Sequence, residues 1–290
     1  MARRAHDRIP AAAAAALARA ATLACLLEVA AEKVGNVTPT RRFPDAAFAD
    51  FVQSALAAGP PLGRSRPGRV GRAVYDAITA TRRVTATNTN LGIVLLLAPL
   101  AAAWAAGGPA PLRARVARVL RGLGRSDARW VYRAIRRARP GGLGRVPVGD
   151  VRRPPAAPLR EAMARAADRD GVAAEYARGF RVTFGIALPA LRRWLRRLPV
   201  LDAVAQTHLE VLARVPDTLI ARKAGVPAAR RVAARARRVL AAGGLVTARG
   251  RAAARRLDRD LRRAGRRLNP GTSADVVTAA LFLWLLRGRV

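Results

Sequence analysis

Thr85-Ala-Thr-Asn-Thr-Asn-Leu-Gly-Ile-Val-Leu-Leu-Leu-Ala-Pro-Leu-Ala-Ala-Ala-Trp-Ala-Ala106 decides how the chain is read. Its first six residues are a polar turn, and residues 91–106 carry no charge at all. A helix rises about 1.5 Å per residue, so this run falls somewhat short of a hydrocarbon core of about 30 Å. Apolar all round and bounded by a polar turn and Gly107-Gly108-Pro109, it is expected to be a buried core helix. A second run of the same kind, residues 276–286, follows the turn Asn269-Pro270-Gly271-Thr272.

Outward from these two runs the pattern remains helical. Apolar residues make up 51% of the 290, but aromatics only 4%, so alanine and leucine must fill the interior, which suits close helix packing better than a sandwich of sheets. No alternation of apolar and polar residues lasts long enough for a sheet. The expected fold is all-α: a single compact multi-helix domain, residues 1–290, with two buried apolar helices. Helices are expected near 11–31, 45–58 (stopping at Gly59-Pro60-Pro61), 71–83, 111–121, 126–138, 158–180, 186–197, 200–214, 227–242, 251–267 and 273–286, with a short one from Pro216 to Gly225. Residues 140–158, rich in proline and glycine, form a long loop of the kind that is often functional. Residues 9–31 follow a basic start and resemble an export signal, but Arg19 interrupts the apolar run, and a core helix is the expected outcome.

The net charge of +36 raises the question of a polyanion partner. Lys33 and Lys223 are the only lysines, so 52 of the 54 basic residues are arginine, many in pairs along helices such as Arg192-Arg193 and Arg230-Arg231. A biased composition giving a solvated arginine surface accounts for this, because no basic patch is interleaved with stacking aromatics and no zinc-finger or RNA-recognition motif occurs. The rival expectation is a non-catalytic arginine-rich protein that binds RNA or acidic membrane surfaces. Cys25 stands alone, which excludes an internal disulfide framework, and His6 and His208 are too few for a histidine metal site. The expected compartment is the cytoplasm, with no specific nucleic-acid or membrane partner; a homo-oligomer is compatible with the sequence.

Acids number only 18, so their placement is informative. Glu28 and Glu32 are four apart on the first expected helix and repel unless a cation, Lys33 or a metal, offsets them. Asn88, Thr89 and Asn90 precede the buried helix; one such residue is a cap, but three exceed capping and point to a ligand. Asn269-Pro-Gly-Thr-Ser273 precedes the last helix, with Asp275 in its first turn, where free amides and the helix dipole would keep that carboxylate ionised. Asp217, after Pro216, opens another helix, with Arg222 and Lys223 one turn on. Several polar helix starts converging suit a phosphate and its magnesium. Neither a Walker motif nor a Rossmann glycine fingerprint is present.

Lys33-Val-Gly-Asn36-Val, Thr87-Asn-Thr-Asn-Leu-Gly92, Asp217-Thr-Leu-Ile and Asn269-Pro-Gly-Thr-Ser-Ala-Asp275 occur in that order. Together they resemble the triphosphoribosyl-dephospho-CoA synthase family, over roughly residues 15–286. Asp168-Arg-Asp170, Ala134-Ile-Arg136 and Pro140-Gly-Gly-Leu-Gly144 resemble features of a divergent branch. Where better-known members carry Pro-Lys-Pro-Gly, this chain has Glu32-Lys33-Val34-Gly35; their His-x-Asp is reduced to Asp45, and their Asn-Thr-His-Lys-Gly becomes Asn88-Thr89-Asn90-Leu91-Gly92.

The resemblance implies an all-helical enzyme that moves the triphosphoribosyl group of ATP to a hydroxyl of 3′-dephospho-CoA or a related cofactor precursor and releases adenine. It implies magnesium as cofactor and ATP as substrate. The Asn-Thr-Asn-Leu branch also resembles sequences found alongside tetrahydromethanopterin-dependent one-carbon metabolism. On this reading Asp45, Asp217 and Asp275 are the catalytic carboxylates, with Asp217, Asp275 and Glu28 toward the metal. Lys33, Asn36, Asn88, Thr89, Asn90, Asn269 and Ser273 hold ribose or phosphate, and Gly35, Gly92 and Gly271 allow close backbone approach.

Overall fold

A computed structural model describes residues 9–287; the basic start and His6 lie outside the described residues. The helices are α1 (Ala11–Ala30), α2 (Phe48–Gly63), α3 (Val70–Val84), α4 (Leu91–Ala105), α5 (Leu112–Arg121), α6 (Arg125–Ala138) and α7 (Leu159–Ala166). There follow α8 (Gly171–Ala177), α9 (Leu188–Leu195), α10 (Val200–Arg214), α11 (Thr218–Ala224), α12 (Val226–Ala241), α13 (Ala248–Arg263) and α14 (Gly271–Leu286). A π-helical turn, Thr183–Ala187, leads into α9, and a 3₁₀ turn, Gly265–Leu268, follows α13. Two isolated β-bridges, Thr38 with Arg41 and Phe43 with Ala46, are the only extended pairings among the described residues.

The two uncharged runs behave as the sequence implies. Leu91 and Ile93 to Ala103 of α4 are buried, as are Thr272 to Ala274 and Val276 to Leu283 of α14. The two helices pack on each other and on α1 in the middle of the main core. With neighbours on every side, neither needs a polar face. A second core joins α10 to α13 through Leu209, Leu212, Ile220, Val232, Leu257 and Leu261. By length and composition α1 could cross a membrane; here it packs against α2 and α14 with Leu17, Ala21 and Ala24 buried.

Three expected boundaries are corrected. Helix α2 does not stop at Gly59-Pro60-Pro61 but continues to Gly63. A methyl at Gly59 would lie 2.1 Å from Thr22 Oγ1, and one at Gly63 would lie 2.4 Å from the Ala14 carbonyl oxygen. The two glycines let α2 lie directly on α1, and that contact outweighs the local cost of the prolines. The helix expected over 158–180 divides into α7 and α8, because the Asp170 side chain accepts from Ala173 N at 3.0 Å and caps a new helix. Finally, α1 ends at Ala30, so Glu32 is not one turn above Glu28 on a common helix; its carboxylate accepts from Thr38 and Thr40 instead.

Candidate active site

The helix ends meet around a cavity of about 970 Å³. Its wall is formed by the end of α1, the turns 36–45 and 86–90, the starts of α4, α8 and α14, the α11 side chains Leu219, Arg222 and Lys223, and the segment between α6 and α7. Of the residues expected to act together, Glu28, Asn36, Asp45, Asn88, Thr89, Asn90, Gly92, Asn269, Gly271 and Asp275 line it. Lys33, Gly35, Asp217 and Ser273 do not; they stand just behind the wall and hold it in place.

Asp217 fills that supporting role completely. One carboxylate oxygen accepts from Leu219 N and Ile220 N, at 2.9 and 3.1 Å, and so caps α11. The other accepts from the amide and hydroxyl of Ser273, at 2.7 and 2.9 Å, in the first turn of α14. Burial pushes its carboxyl up, while the Ser273 and Ile220 amides pull it back. Four protein donors on two oxygens leave this side chain as the clamp between two helix starts. Lys33 is equally committed. It pairs with the Glu28 carboxylate at 3.2 Å and donates to the carbonyls of Glu28 and Ala31, closing the end of α1. Burial pushes Glu28 up and Lys33 down, each shift opposed by the charge of the other. Lys33 is thus the cation that offsets Glu28.

Gly35 has φ +73, a left-handed turn, and a methyl there would meet Leu261 and Pro270 at 2.8 and 2.9 Å. The turn presents its carbonyl to Asn269 Nδ2 at 2.8 Å, and the same amide donates to Asn36 Oδ1 at 3.0 Å. Asn36 Nδ2 in turn donates to His208 Nε2 at 3.1 Å, so His208 is held as the tautomer with Nε2 free to accept. Burial, then the charge of Lys33, lowers its pKa to about 3, and it stays neutral. Asn36 and Asn269 thereby form a rigid amide pair on the cavity wall.

The Asn88-Thr89-Asn90 turn divides its work. Asn88 Oδ1 accepts from Leu91 N, the first amide of α4, at 3.2 Å. Thr89 Oγ1 contacts Ser54 Oγ at 2.6 Å, and Asn90 Nδ2 donates to Thr81 Oγ1 at 3.0 Å. Asn90 Oδ1, buried, has no partner among the described residues. An orphaned acceptor on a cavity wall is the mark of a donor that arrives with a ligand or with water.

Asp275 behaves differently from its sequence expectation. Partly buried on the first turn of α14, it makes no hydrogen bond or ion pair with any described residue. Its carboxyl is pushed well above the ordinary value, first by burial and then by Asp217, Glu28 and Asp170, with only Arg222 opposing. Desolvation and three like charges outweigh the helix dipole that was expected to keep it ionised. No group of three or more His, Cys, Asp or Glu side chains among the described residues is arranged as a ready metal cage.

Cations complete the wall. Arg82, Arg139, Arg165, Arg169, Arg222, Lys223 and Arg266 line the cavity against the acids Glu28, Asp45, Asp170 and Asp275. Arg222 pairs with Asp170 and Arg266 with Asp45, both at 2.6 Å. Asp45, with its side chain 59% exposed, is at the rim of the cavity and not in its depth. Lys223 donates to the Arg266 carbonyl at 3.2 Å; burial, Arg266 and Arg222 lower its pKa. Nothing in a chain with 52 arginines marks these particular ones, but the rarity of lysine was a signal for Lys223.

Helix ends that gather an unpaired carboxylate, amides and an excess of cations around one cavity define an all-helical enzyme built for a polyanionic substrate. The fold is similar to the crystal structure of a protein from Archaeoglobus fulgidus described as a triphosphoribosyl-dephospho-CoA synthase, with a TM-score of 0.62 and 24% identity, covering 81% of this chain and 98% of that one. Residues 14–290 match the family described as ATP:dephospho-CoA triphosphoribosyl transferase, and the chain belongs to that family. It is a transferase of cofactor biosynthesis. No curated protein sequence matches it. The alternative of a non-catalytic RNA- or membrane-binding protein is not favoured.

Proposed function

We propose that the cavity joins the ribose of ATP, with its triphosphate, to a hydroxyl of dephospho-CoA or a close relative and releases adenine. The observation that carries this reading is Asp275: a carboxylate on the cavity wall with no protein partner, raised by burial and by neighbouring acids, beside a surplus of cations. A carboxyl raised in this way is a stronger proton acceptor than an ordinary one, and its ionised form gains from the positive charge of an oxocarbenium-like transition state.

In the proposed step the acceptor hydroxyl oxygen forms a bond to C1′ of the ATP ribose as the bond from C1′ to the adenine nitrogen breaks. Adenine leaves with that electron pair and takes up a proton from solvent water. The hydroxyl proton passes to Asp275. Asn36, Asn90 and Asn269 orient the sugar, with Asn90 Oδ1 accepting from a ribose hydroxyl. Lys223, Arg222 and Arg266 hold the triphosphate, in the place where the sequence put Lys33. The same chemistry accommodates an acceptor linked to tetrahydromethanopterin metabolism, provided it offers a hydroxyl.

Magnesium fits this wall. Such sites use one or two carboxylates together with substrate phosphates and keep several waters, so a complete protein cage is not required. Glu28 and Asp170 are paired with Lys33 and Arg222, so the ion would be carried by the triphosphate oxygens and water beside these acids, whose negative field favours it, while Asp275 keeps its oxygens for the acceptor proton. Bound magnesium would neutralise charge on the triphosphate.

The test is to incubate the protein with ATP, magnesium and dephospho-CoA and to measure free adenine by chromatography. Stoichiometric adenine and a triphosphoribosylated acceptor are expected. ATP hydrolysis to ADP and phosphate without adenine would overturn the reading.

A further inference from the structure

Resting on the reading above, we propose that one side of the cavity is a separate compartment for the extended, weakly polar arm of the acceptor, of the pantetheine class. The charged and amide groups come from the ends of α1, α4, α11 and α14, whereas the opposite side is built from two apolar helix faces. Helix α6 presents Ile135, and α7 presents Ala162 and Ala166, all partly buried, backed by Val131, Ala138, Leu159 and Met163, which are packed into the core. The charged residues on this side, Arg139, Arg165 and Arg169, are all solvent-exposed.

The 140–158 segment covers these faces, and it is anchored as a wall. Tyr132 donates its hydroxyl proton to the Gly149 carbonyl at 3.1 Å, and Arg136 donates to the Val151 carbonyl. Asp150 accepts from Arg152 N at 2.9 Å and folds the segment on itself. Yet Leu143 and Val148, both lining the cavity, are 37% and 63% exposed. Two large apolar side chains held toward a cavity by an ordered strap gain by contact with an apolar ligand.

The chemistry selects which substrate that is. ATP presents phosphates, a ribose and a base, and its charges belong with Lys223, Arg222 and Arg266. Of the two substrates, only dephospho-CoA carries a long uncharged chain with a gem-dimethyl group. A bimolecular transfer must hold both substrates at once, and about 970 Å³ is at the upper end of single-ligand pockets. The competing occupant is the adenine ring of ATP.

Calorimetry on the full chain with ATP, ADP and dephospho-CoA separates these. ADP is dephospho-CoA without the arm. The wild-type protein should bind dephospho-CoA about tenfold or more tighter than ADP. Ala162→Trp, which fills the compartment, and Val148→Asp, at an exposed position that cannot disturb the core, should each abolish that difference. Both should leave ATP affinity within about twofold. Equal wild-type affinity for ADP and dephospho-CoA would overturn the proposal. So would variants that lose ATP and keep the arm preference, which would assign the compartment to adenine. Failure of the transfer reading looks different: the arm preference persists but no adenine is released. Adenine release with equal kcat/KM for both acceptors would instead remove the compartment and leave the transfer reading standing.

Discussion

Gly92, in the first turn of α4, lies against the carboxylate of Asp275, in the first turn of α14, so closely that a methyl on Gly92 would sit 2.0 Å from Asp275 Oδ2. Two buried helices start side by side, and one leaves room for the acid of the other. Gly92→Ala removes that room. In a helix the change to alanine is itself favourable by about 0.5–1 kcal/mol, so the fold should survive. The carboxylate must swing away, and the rate of adenine release should fall at least about tenfold, or ~1.4 kcal/mol of activation free energy. Unchanged turnover in a normally folded variant would show that the position of Asp275 does not matter.

Asp275→Asn should separate stability from function. The Asp275 carboxyl is raised above its ordinary value of 3.8, so between 3.8 and its higher folded value the native state binds more protons than the unfolded chain. Stability contributed by this group is therefore present at low pH and is lost as pH rises through that window. Asparagine carries no charge to bury. The variant should melt higher than wild type at pH 7, should melt about equally near pH 3.5, and should release no adenine. A variant that melts lower at pH 7 would mean that the carboxylate has a stabilising partner.

Much of this could be read from sequence because the signals were local. The uncharged runs that became α4 and α14 announce burial in their composition, and polar residues before each announce a helix start. Signals that depend on tertiary contact were not legible. Gly59 and Gly63 look like a stop and are an interface. Asp217 and Asp275 look alike, each an acid at a helix start, yet one is bound by four donors and the other by none. Only the approach of α11 to α14 distinguishes them. The arginines of the wall were hidden among their own kind.

Lys33→Met tests whether the first lysine supports the wall or touches substrate. Removing the ammonium leaves Glu28 buried without its cation and frees the carbonyls of Glu28 and Ala31. Loss of one partner of a buried pair costs about 3–5 kcal/mol. Chemical denaturation should show a loss of that order, and Glu28→Gln in the Lys33→Met background should recover part of it. ATP affinity, measured well below the melting temperature, should change little. A tenfold loss of ATP affinity with intact stability would return Lys33 to the phosphate.

Lys223→Met tests the phosphate assignment from the other side. Lys223 stands on the cavity wall between Arg222 and Arg266, with the Gly142 backbone against its stem: a methyl on Gly142 would lie 3.2 Å from Lys223 Cγ. Its pKa is lowered from 10.5 by burial and by the two arginines, so its folded form binds fewer protons than the unfolded chain over that window, and its contribution to stability rises with pH. A charge kept at that cost should be repaid by ligand. Lys223→Met should therefore be neutral or stabilising to the fold, while raising the Kd for ATP by about ten- to a hundredfold, or ~1.4–2.7 kcal/mol. In wild type, ATP affinity should decline as pH rises toward the lowered lysine pKa, and in the variant that decline should be absent. Arg255→Met, an exposed arginine on α13, is the control for general loss of positive charge and should leave ATP affinity unchanged. Equal losses in both variants would mean that the net charge of the surface, rather than this wall, attracts the nucleotide.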